Sequence, residues 1–74
     1  MQSYNLLNCI TDEKLFVKFF EEKPFLLIKK EADYCLKASN SHLLYKYQDN
    51  EYVWYIHYNE LGNIFKVCEY RREN

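Results

Sequence analysis

A chain of 74 residues with 49% hydrophobic and 19% aromatic positions, one glycine, one proline and a formal net charge of −1 has the makings of one small domain and is too apolar to stay unfolded. A membrane helix needs roughly 18 uninterrupted apolar residues and a duplex-DNA binder a strongly positive field; the sequence carries neither. Domains of this size bury only about 60% of the surface their unfolded chain exposes, so the core must be built of large side chains. Eight Tyr, five Phe and one Trp supply them.

Residues 1–10 read either as an edge strand or as a loose arm. Leu6-Leu7 is flanked by Asn5 and Asn8 and no base precedes Lys14, unlike a secretory signal. Cys9, Cys35 and Cys68 are an odd number at spacings that fit neither a disulfide framework nor a zinc site, and they read as reduced thiols. The expected location is therefore cytoplasmic.

Thr11 followed by Asp12 and Glu13 is a helix start: the hydroxyl accepts from a free backbone N–H, and the carboxylates face the positive end of the dipole. Ile10 and Leu15 have the spacing of a hydrophobic staple. Leu15, Phe16, Phe19 and Phe20 then make one apolar stripe, with Lys14, Lys18, Glu21 and Glu22 away from it, and Pro24 ends a helix spanning 11–23.

From Phe25 the period changes to two, which predicts strands near 25–30, 34–38, 43–48, 51–58 and 63–70. A two-residue turn at Asp49-Asn50 sets Tyr47 opposite Tyr52, Tyr45 opposite Trp54 and Leu43 opposite Ile56. A four-residue loop at 59–62 sets Ile56 against Phe65 and Trp54 against Val67. Through a four-residue loop at 39–42 the apolar face extends to Ala38, Leu36 and Tyr34, and the first hairpin adds Leu26 and Ile28. The fold class is thus α+β: one N-terminal helix packed on an antiparallel meander of about five strands, open to curling toward a small barrel. Small Sm-like barrels share this order of elements, but their glycine pattern is absent.

The opposite face carries Leu44, Lys46, Val53, Tyr55, His57, Ile64, Lys66 and Cys68, with Leu27, Cys35 and Lys37 beside them. So many apolar side chains on a solvated face predict a cover: the N-terminal arm, a second copy, a partner, or the sheet itself curling into a barrel. His42 faces His57, yet two imidazoles do not make a metal site and read as surface histidines. Ser39 and Ser41 belong to a turn, one glycine excludes a phosphate loop, and Glu21-Glu22 point in different directions. No catalytic residue, cofactor or metal is expected.

What remains is protein recognition, with Leu44, Lys46, Val53, Tyr55, His57, Ile64 and Lys66 as the partner-binding set. Lys, Asn, Tyr, Ile and Phe are abundant and Ala, Gly, Pro and Arg scarce, as AT-rich coding would produce, and the expected version is a phage- or mobile-element-encoded inhibitor of a host enzyme or defence complex. The alternatives are a single-stranded nucleic-acid binder, disfavoured because most of the rings fall on the predicted core face, and a homodimeric structural subunit.

Overall fold

The structure, a computed structural model, describes residues 3–37 and 42–73. Its elements are β1 (Tyr4–Ile10), α1 (Glu13–Glu22), two 3-10 turns at Pro24–Leu27 and Lys29–Glu31, β2 (Tyr34–Lys37), β3 (Leu43–Gln48), β4 (Tyr52–Tyr58) and β5 (Ile64–Arg72). They form an α+β fold. One antiparallel sheet in the order β1-β5-β4-β3-β2 has β1 and β2 as its edges, so it does not close into a barrel, and α1 packs on one face.

Of the two readings for the start of the chain, the edge strand holds for Tyr4–Ile10. It pairs with β5 from the far end of the chain, Tyr4 with Arg72 and Ile10 with Val67. The helix cap falls one residue later than expected, at Asp12 and not Thr11: the Asp12 Oδ1 accepts from the Lys14 N–H at 3.0 Å, and the helix runs from Glu13 to Glu22 in place of 11–23. Phe16, Phe19 and Phe20 are buried as the stripe predicts, whereas Leu15 is 54% exposed. Pro24 then opens a tight turn whose φ it pre-sets.

The strand expected at 25–30 is replaced by the two 3-10 turns. A short apolar run has the same pattern in a strand and in a turn that drops one side chain into the core. Here Leu26 is that side chain, at 0% exposure, while Leu27 and Ile28 face outward. The core consists of the three phenylalanines, Leu26, Tyr47, Trp54, Ile56, Tyr58 and Val67, with Ile10, Tyr45 and Ile64 packed against it.

Three registers depart from expectation, each for a countable reason. Asp49 N–H donates to the Tyr52 carbonyl, so the two-residue loop is Asn50-Glu51; Tyr47 consequently pairs with Trp54 and Leu43 with Tyr58. This slip of two positions leaves every side chain on its expected face. Lys37 pairs with Leu43, which leaves five residues between β2 and β3 in place of four. That slip of one turns β2 over: Tyr34 and Leu36 join the outer face, and Cys35 and Lys37 the helix side. Ala38, Ser39 and Ser41 lie outside the described residues.

The third departure is a bulge where His57 pairs with Lys66 but Tyr58 with Ile64, leaving Phe65 as the extra residue. Ile64 thereby packs against the core, and Phe65 meets the rings of His42 and His57 at 4.7 and 5.8 Å, the reverse of the expected assignment. The turn before it uses the single glycine where one is required: Gly62 has φ +84°, and its N–H donates to the Asn59 carbonyl.

Candidate interaction face and the cluster beneath it

Period-two alternation on β3, β4 and β5 delivers Leu44, Lys46, Tyr55, His57 and Lys66 to the face away from α1, as the sequence predicts. Tyr34 and Leu36 join them from β2, Tyr4 and Leu6 from β1, and Tyr70 and Arg72 from β5. Ile64 does not belong to this set, since the bulge turns it to the helix side. Val53 does, but it is only 2% exposed and serves as a floor.

Over that floor Tyr4, Lys46, Tyr55 and Tyr70 line a notch of ≈ 300 Å³. Tyr55 and Tyr70 meet edge to face with centroids 5.8 Å apart. Lys46 Nζ stands 5.1 Å from the Tyr34 ring centroid and 6.0 Å from that of Tyr55, and the Arg72 guanidinium 5.8 Å from that of Tyr4. Four tyrosines therefore share this face where the sequence singled out one. Tyr34 was missed through the β2 slip and Tyr4 because residues 1–10 read equally as a strand or an arm; for Tyr70, at the end of the strand expected at 63–70, its parity with Lys66 and Cys68 was the available signal.

At the other end of the face the expected histidine pair is present. His42 Nε2 and His57 Nδ1 are 3.1 Å apart, a hydrogen bond that requires at least one neutral ring. Burial, then the neighbouring His42 and Lys66, hold the His57 pKa below its usual value of 6.5. Among the described residues no three His, Cys, Asp or Glu side chains cluster closely enough to hold a metal ion. Cys9 and Cys68 are register partners with sulfurs 3.5 Å apart, and burial, followed by the hydrogen bond with Cys9, pushes the Cys68 thiol up to about 11.

Beneath the sheet, on the helix side, lies a polar cluster that sequence reasoning did not find. Glu69 is 5% exposed, accepts from Trp54 Nε1 at 2.8 Å and Asn8 Nδ2 at 2.7 Å, and lies 3.7 Å from Lys23 Nζ. A second bulge, at Leu7, brings Asn8 alongside it. The parity of Glu69 with Val67 was the available signal. Every buried polar atom of the carboxylate is satisfied, which marks the cluster as a tie between α1, β1, β4 and β5.

Among the described residues no helix is long and apolar enough to cross a membrane. No protein-family model, curated protein or solved structure matches the chain.

Proposed function

We propose that the protein is a small non-enzymatic interaction module that acts by steric occupation of a larger protein partner, using the open face of its sheet. One observation carries this reading. The helix covers one face only, and the other offers exposed Leu6, Tyr34 and Leu36 around half-buried Leu44 and Tyr55, with lysines beside them. A mixed aromatic and aliphatic patch with cations at its rim has the anatomy of a protein interface. The AT-rich composition extends the proposal to a phage- or mobile-element-encoded inhibitor of a host enzyme or defence complex.

Tyr55 is the proposed anchor. Tyr55→Ala is expected to weaken partner binding by about 2 kcal/mol, measured by calorimetry with the partner captured from source-cell lysate, and to leave the melting temperature nearly unchanged. Undiminished binding by this variant overturns the assignment of the face. Four tyrosines on one sheet face favour single-stranded nucleic acid as the second reading, and nuclease-sensitive capture is its signature. A melting temperature that rises with protein concentration would instead identify the homodimer.

A further inference from the structure

The charge on the open face is one-sided. Its strand positions carry Lys46, Lys66 and Arg72 and no carboxylate. Since the whole chain is −1, these three cations leave −4 on the remainder. The two acids nearest the Arg72 end are tied elsewhere: Glu51 to Arg71 at 3.2 Å, and Glu73 to the side chains of Ser3 and Asn5. Among the described residues Lys46, Lys66 and Arg72 form no ion pair, and the Arg72 guanidinium donates from Nη1 to the Asn50 carbonyl at 3.4 Å. The face therefore carries cations without a carboxylate partner beside an apolar floor.

We propose that the notch lined by Tyr4, Lys46, Val53, Tyr55 and Tyr70 receives an acidic side chain of a protein partner, so that the segment crossing the open face is one in which Asp or Glu alternates with apolar residues. This rests on the interaction-module reading and specifies the partner's chemistry. The rings decide between a carboxylate and a nucleobase. Lys46 stands over Tyr34 and Tyr55, Arg72 over Tyr4, and Tyr55 meets Tyr70 edge to face. Stacking needs a bare ring face, whereas the notch offers ammonium and phenol groups held over the buried, apolar Val53. An extended acidic segment also suits an open sheet face, because alternate residues of a strand point the same way and present every second side chain to it.

The test is a titration of the isotope-labelled full chain, followed by NMR, with a blocked peptide about ten residues long that alternates Glu and Leu. Saturable shifts are expected at the amides of Lys46, Val53, Tyr55 and Tyr70, with affinity falling at least about fivefold between about 50 and 300 mM salt. Lys46→Glu is expected to weaken binding about tenfold or more without moving the melting temperature, while Lys18→Glu on the outer side of α1 leaves it unchanged. Absence of saturable shifts at those amides, indifference to Lys46→Glu, or tighter binding there of a thymidine oligomer of equal charge would each overturn the proposal. Partner capture that is lost with Tyr55→Ala but indifferent to Lys46→Glu overturns the acidic preference alone; capture that neither change affects overturns the interaction face itself.

Discussion

Glu69 shows how one side chain can be essential to a fold while looking like surface charge in the sequence. It sits two residues from Arg71 in a charged C-terminal stretch, yet it lies at 5% exposure under Trp54. Removing a hydrogen-bond acceptor from a buried donor costs the donor's desolvation, so Glu69→Ala is expected to lose about 2–3 kcal/mol in urea unfolding followed by Trp54 fluorescence. Glu69→Gln, which keeps an oxygen for the indole N–H, should lose clearly less. His57 is legible at the same scale. Its folded pKa lies below that of the unfolded chain, first through burial, so the unfolded state binds more protons as pH falls. The stabilisation that its neutral ring provides is fully present above about pH 6.5 and is lost as pH falls through the folded value. Between about pH 7.5 and 5, the melting temperature of the wild type should therefore drop more than that of His57→Gln. An equal drop in both would remove His57 as the cause.

At the scale of elements, the helix shows how a short polar run can contain two competing caps. Thr11, Asp12 and Glu13 all favour a helix start, and the backbone enters α1 with Asp12 extended at φ −86°, ψ 119°. Asp12→Ala is accordingly expected to cost about 1 kcal/mol of stability and Thr11→Ala only a few tenths, in chemical denaturation of the two variants side by side. The reverse order would place the cap at Thr11. The strands teach a different lesson. Hairpin registers were legible to within the length of a turn, and the consequence of an error depends on its parity. At Asp49 the error was even: the carboxylate accepts from the N–H groups of Glu51 and Tyr52, the loop moves on by one residue, and every ring on β3 and β4 stays on its expected face. Between β2 and β3 it was odd, and Tyr34 and Leu36 crossed the sheet. At Phe65 a bulge did the same to Ile64.

For the whole molecule the decisive contact joins the two ends of the chain. β1 pairs with β5 across more than fifty intervening residues and brings Asn8 to Glu69 and Ile10 to the core. A chain beginning at Thr11 would lose the outer ladder of β5, one partner of the buried carboxylate and part of the apolar packing. It is expected to melt with a broadened, much lower transition by circular dichroism, with slowed refolding in the intact chain reflecting the long loop that β1 must close. A truncated chain as stable as the intact one would make β1 an accessory. Local periodicity was enough to specify the fold class, the amphipathic helix and the facing of β3 and β4, because the periods of 3.6 and two repeat over several residues. Long-range packing settled where residues 4–10 and 25–28 go, which face β2 shows and that Glu69 is buried. Those outcomes turn on loops that differ by a single residue and on partners far away in the chain, and neither leaves a periodic trace in the sequence.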